Sequence, residues 1–108
     1  MPGETTSTCF AGILVAMEFE WDPEKDQRNQ AKHGVSFDEA SSAFGDPFAL
    51  TIDDPDHSWE EHRFLTTGYS NRQRLIIVAH VDRNERVRLI NAREVTAAER
   101  HIYEEKPK

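Results

Sequence analysis

The chain is poor in the residues that staple or span. It has one cysteine, Cys9, in 108 residues. That excludes an intramolecular disulfide framework and a cysteine-rich metal site, and fits a reducing compartment. No apolar run approaches the roughly 20 residues that a bilayer-crossing helix needs. Basic residues are missing ahead of the apolar stretch from Cys9 to Ala16, where a secretory signal would carry them. Internal repeats and low-complexity linkers are absent. A length of 108 residues with 37% apolar and 31% charged side chains describes one domain with a single core and a polar surface.

Net charge is −7, which disfavours a polyanion partner on average, but the average conceals an asymmetry. Residues 1–62 hold three basic and fourteen acidic side chains, whereas 63–108 hold ten basic and six acidic. Eight of those ten are arginines, whose planar fork suits phosphate. Such unevenness is the cue for a localised polyanion-binding face. Arginines that keep sheet edges soluble are the alternative.

The chain's punctuation predicts its elements. Phe19 to Trp21 reads as a short strand. Asp22 caps a helix with Pro23 in its first turn, running to Lys32 or His33 and closed by Gly34. Ser36 and Glu39 have capping-box spacing and open a second helix, 37–44, stopped by Gly45-Asp46-Pro47. Strands follow at 48–52, 63–69, 75–81 and 86–91, the third apolar on both parities as in a doubly covered central strand. Thr96 with Glu99 caps a last helix to about Glu105. The fold class is therefore α+β: strand, two helices, a mostly antiparallel four-strand meander and a C-terminal helix.

Several strings in this order resemble the BrnT family of small bacterial type II toxins with a RelE-like ribonuclease fold. They are Met17-Glu-Phe-Glu-Trp-Asp22, Asn29 to Ala40, Glu61-x-Arg63, Gly68-x-Ser70, Arg74-Leu75, and Arg88-Leu-Ile-Asn-Ala-Arg93 before Glu99 and Tyr103. The similarity covers about 17–105. Asn91 stands where the family often has serine, so a role for that hydroxyl does not carry over. Members typically start just before the Glu-Phe-Glu-Trp-Asp string, so 1–16 is expected to be a flexible or mis-annotated extension to a domain at 17–108. An extra edge segment is the alternative.

The resemblance implies a cytoplasmic ribonuclease toxin that works without cofactor or metal and inhibits translation. It also implies a BrnA-like ribbon-helix-helix antitoxin that neutralises it in a hetero-oligomer and touches DNA, so that this chain meets DNA only indirectly. Metal-free RNA cleavage must deprotonate a 2′-hydroxyl, offset charge at phosphorus and protonate the leaving oxygen. The matching candidates are Arg63, Arg74 and Arg93 as phosphate clamps, with Glu61 orienting Arg63 or acting as base. Lys32, His33 and Tyr103 are candidates for RNA contact, although helix capping and packing also explain them. Strict alternation sets Arg93 on the face opposite Arg86 and Arg88, unless the strand ends or bulges near Asn91. His62 should point away from Glu61 and Arg63, and His80 should be partly buried. The run Asp53-Asp54-Pro55-Asp56-His57 invites a divalent ion, and with it a metal-dependent hydrolase as a third reading. Its spacing matches neither an EF-hand loop nor a His-Glu-x-x-His helix, and its Asp-Pro pairs read as turns without a metal. A catalytically inactive binding module acting with its antitoxin as a corepressor is the competing reading.

Overall fold

The described residues build six strands and three α-helices. In this computed structural model, residues 6–10, 13–54 and 61–105 are described. The elements are β1 (Thr6–Phe10), β2 (Ile13–Glu20), α1 (Pro23–His33), α2 (Phe37–Ser42), β3 (Leu50–Asp53), β4 (Arg63–Tyr69), β5 (Leu75–Arg83), β6 (Arg86–Glu94) and α3 (Ala97–Glu105). They form one sheet in the order β1-β2-β6-β5-β4-β3. All neighbours are antiparallel except β2 and β6, a parallel pair separated in the chain by α1, α2 and the β3–β4–β5 strands. The α+β class holds, with more strand than expected before α1. Of the segment 1–16, residues 1–5 and 11–12 lie outside the described residues, and the backbone of Thr6–Phe10 pairs with that of Ile13–Met17. Among the described residues no helix is long and apolar enough to cross a membrane.

Local signals account for the helix ends. The Asp22 side chain accepts from the Glu24 N–H at 2.9 Å, and Gly34 closes α1 at φ +73°. Ser36 accepts from the Glu39 N–H at 3.0 Å, but the reciprocal half of that capping box is not made, because Glu39 is used elsewhere. The second helix stops two residues early, tightening into a 3-10 turn at Ala43–Gly45. That turn lies hard against β4: a Cβ on Gly68 would come within 2.7 Å of the Ala43 carbonyl oxygen. Thr96 and Glu99 make both bonds of their box, at 2.8 and 3.2 Å.

The core lies between one sheet face and α1–α2. Val35, Phe37, Ala40 and Ala43 come from the helical side, and Ile76, Val78, Leu89 and Ala92 from β5 and β6. Asn29 closes a gap here. β2 leaves β6 after the Glu20–Arg88 pair, so the next outward-facing backbone groups of β6 lack a strand partner. The buried Asn29 carboxamide replaces it: Oδ1 accepts from the Ala92 N–H at 3.1 Å, and Nδ2 donates to the Ala92 carbonyl at 2.7 Å and the Val35 carbonyl at 2.8 Å. Asn29→Ala should cost about 3 kcal/mol in denaturant unfolding, because it leaves buried polar groups unpaired. A loss under about 1 kcal/mol would contradict that role.

Candidate functional site

Register decides which arginines share a face. Asn84 and Glu85, at φ +53° and +66°, make the two-residue turn that joins β5 to β6. It sets Arg83 opposite Arg86 and Val81 opposite Arg88, and β4 adds Arg63 opposite Val81. Between Ala79 and His80 the register slips, so that Ala79 faces Asn91 while His80 faces Leu89. Ile90 is the extra residue of a bulge. The slip reverses the alternation of β6, and Arg93 falls opposite Ile77. Ile77, Val81 and Arg83 are separated by even steps on β5. Their cross-strand partners Arg63, Arg86, Arg88 and Arg93 therefore lie on one side, away from α1 and α2. The bulge that Arg93 required is present.

These side chains gather at two places on that face. Arg83 grips Glu61 with both arms of its fork, at 2.7 and 3.2 Å. The Arg83 guanidinium holds the Glu61 carboxyl below its usual range, and Arg63 and Arg88 add to the lowering. Glu61 therefore sits in the field of three cations. Of the two expected roles for Glu61, orienting Arg63 or acting as a base, the hydrogen bonds replace the first: its partner is Arg83. Arg88 reaches Glu20 at 3.3 Å, and Arg86 reaches Glu18 at 3.0 Å. Arg93 lies four residues further along, roughly 13 Å at about 3.3 Å per residue. There α3 meets the face. Glu99 takes the Arg93 fork with both oxygens at 2.9 and 3.0 Å, and Tyr69 meets Tyr103 edge-on at 6.0 Å.

Arg74 is not on this face, and the expected convergence of Arg63, Arg74 and Arg93 is corrected accordingly. It precedes β5 with the parity of Ile76, and points into the helical layer. Its Nε and Nη2 clamp Glu39, Nη2 also donates to the Gly34 carbonyl, and Nη1 pairs with Glu94 at 3.1 Å. Glu39 is 4% exposed and also accepts from Ser70 at 2.6 Å. The Arg74 guanidinium, then the Ser70 hydroxyl, lower its carboxyl against the opposing effect of burial. This is a strut joining α2 to the β4–β5 turn.

Of the three expected RNA contacts, Lys32 and His33 lie off the arginine face, and Tyr103 meets that face at Tyr69 but is turned inward. Lys32 and His33 occupy the last turn of α1 in the helical layer, where positive charge suits the helix end. Tyr103 is buried, and its hydroxyl donates to Asp46 at 2.7 Å. Burial, then that bond, raises its pKa. Tyr103 therefore anchors α3. Asp53 of the acidic run bonds His62, while residues 55–57 lie outside the described residues.

Arg83 and Arg88 were not singled out from sequence. The signal for both was available, since a two-residue turn at Asn84-Glu85 fixes the pairing of the whole hairpin.

Acid should weaken this architecture in two stages. Burial pushes His80 below its ordinary 6.5. Its ring bonds Thr66 at 2.7 Å, and Nδ1 has no hydrogen-bond partner, so a second ring proton would be buried without an acceptor. That contribution is complete above pH 6.5 and declines as pH falls through the lowered value. The Arg93 fork brings Glu99 down from 4.5 to about 2. Its stabilisation is complete above pH 4.5 and is lost toward pH 2. Thermal unfolding across pH 7 to 2 should show both declines, and Glu99→Gln should flatten the second; an unchanged second stage would contradict the pairing.

Residues 21–99 match the model of a family described as "Ribonuclease toxin, BrnT, of type II toxin-antitoxin system". The chain is also similar to the Brucella abortus ribonuclease toxin BrnT. That crystal structure aligns with a TM-score of 0.58 and 23% identity, covering 74% of this chain and 97% of that one. At this identity the likeness speaks for the fold. No curated protein matches the chain.

Proposed function

Since the chain belongs to the BrnT family of ribonuclease toxins of type II toxin–antitoxin systems, we propose that it cleaves RNA on the face away from α1 and α2. The observation that carries this reading is the bulge at Ile90, which gathers Arg63, Arg88 and Arg93 on one side of the sheet. The reacting linkage lies at the Glu61, Arg63, Arg83 and Arg88 end. Arg63 and Arg88 donate to the phosphate oxygens and offset the charge that develops at phosphorus, the largest service a metal-free site provides. Glu61, oriented by Arg83, accepts the 2′-hydroxyl proton. Its lowered pKa keeps it ionised at neutral pH but makes it a weak base, so most of the acceleration falls to the guanidinium groups. The 2′-oxygen bonds to phosphorus as the P–O5′ bond breaks, and the departing 5′-oxygen takes its proton from water. Arg93 holds a flanking phosphate.

In this reading RNA phosphates exchange with the resting carboxylates Glu20 and Glu99, which match them in charge. A cognate BrnA-like ribbon-helix-helix antitoxin would silence the toxin by covering this face, and would itself supply any contact to DNA. Translation stops because messages are cut.

The test is purified protein with single-stranded RNA in excess chelator. Cleavage should persist. Loss restored by a divalent ion would overturn the metal-free chemistry. No cleavage under any condition, with an intact antitoxin complex, would favour the inactive corepressor.

A further inference from the structure

A line of rings runs from the surface of this protein into its core. His62 lies flat on Phe64, with centroids 4.6 Å apart and planes 11° from parallel. Phe64 stacks on His80 at 5.7 Å and 25°. His80 meets Phe44 edge-on at 5.0 Å, and Phe44 meets Phe19 at 5.1 Å. The four inner rings are buried or half-buried, but the His62 side chain is 60% exposed.

An exposed histidine ordinarily samples several rotamers. This one is fixed twice, by the flat contact with Phe64 and by a 3.0 Å bond from its Nε2 to Asp53 Oδ1. One π-face is covered by Phe64, and the ring's remaining exposure is to solvent. A rigid, half-covered aromatic plane suits stacking of a planar ligand, because no further side chain must be ordered on binding. Unpaired bases are bound in this way on aromatic and histidine rings. The Asp53 carboxylate beside the ring repels phosphate, so the plane fits a base in preference to the backbone. His62 also falls between Glu61 and Arg63. On an extended chain those two project to the arginine face and His62 to the other side. A strand passing over the start of β4 can therefore leave a phosphate at Arg63 and a base at His62.

Taking RNA as the substrate proposed above, we infer that His62 is the outer tile of a stacking platform for one unpaired nucleobase. It is a positioning and specificity residue with no part in proton transfer, and purines, with more ring overlap, bind there better than pyrimidines.

The test measures Kd for an RNA oligonucleotide blocked against cleavage by 2′-O-methyl groups, at fixed salt. His62→Ala should weaken binding roughly tenfold, while His62→Phe should stay within about twofold of the native chain because it still stacks. An oligonucleotide lacking the stacked base should bind the native chain and His62→Ala alike. A 2-aminopurine at that position should be quenched by the native protein, a readout independent of whether a variant folds. Equal binding by His62→Ala, an equal loss in His62→Phe, or no quenching would overturn the platform. If His62→Ala binds normally and RNA is still cut, the platform alone falls. If the native chain binds no RNA, the proposed function falls with it.

Discussion

Arg63→Ala should reduce kcat for RNA cleavage by about 10²–10³, measured at a temperature where the variant is folded. Arg63 stands opposite Val81 on the arginine face, one register row from the Glu61–Arg83 pair. A guanidinium placed there donates to the phosphate oxygens as charge grows on them, a service realised mainly in the transition state. The loss therefore appears in kcat more than in KM. Arg88→Ala should behave similarly. Arg93→Ala, about four residues away along the strands, should raise KM more than it lowers kcat, because it binds a phosphate that does not react. Single-turnover kinetics separate these outcomes. If Arg63→Ala and Arg88→Ala both cleave at the native rate, the site is wrongly assigned.

Arg74→Ala should fail in the opposite sense, by losing stability. It removes the counterion of a buried carboxylate, and breaking such a pair from one side typically costs about 3–5 kcal/mol. Glu39 would keep only Ser70, while the Gly34 carbonyl and Glu94 would each lose a donor. Glu39→Gln should recover much of the loss when combined with Arg74→Ala, because a neutral amide needs no counterion. Denaturant unfolding of the two single variants and the double variant gives the coupling directly. Activity of Arg74→Ala, measured at a temperature where it remains folded, should be near native. A stable but inactive Arg74→Ala would return this residue to the catalytic set.

The parts of this fold that could be read in sequence are those fixed by neighbours along the chain. Asp22-Pro23, Gly34 and the Thr96/Glu99 box set the helix ends within one turn, because their hydrogen bonds span four residues or fewer. The β5–β6 register follows from a two-residue turn in the same way. What could not be read depended on distant partners. Glu39 has the spacing of a cap, yet a buried carboxylate takes the strongest donor available, and Arg74 outcompetes the Ser36 N–H. Asn29 looks like an ordinary helix residue until β2 leaves the edge of β6, 63 residues away in sequence. Arg74 is a candidate phosphate clamp only through the family resemblance, and β5, apolar on both parities, does not reveal in sequence which face carries the helices. The bulge was legible only as a requirement for Arg93 to join the others.

The most direct measurement is backbone amide chemical-shift mapping of the native protein titrated with cleavage-blocked single-stranded RNA. Shifts should concentrate at Arg63, Val81, Arg88, Asn91 and Arg93, with Lys32, His33 and the remainder of α1 unmoved. Shifts confined to α1 and α2, with the arginine-bearing strands silent, would place RNA on the helical layer and contradict the assignment of the site to the opposite face.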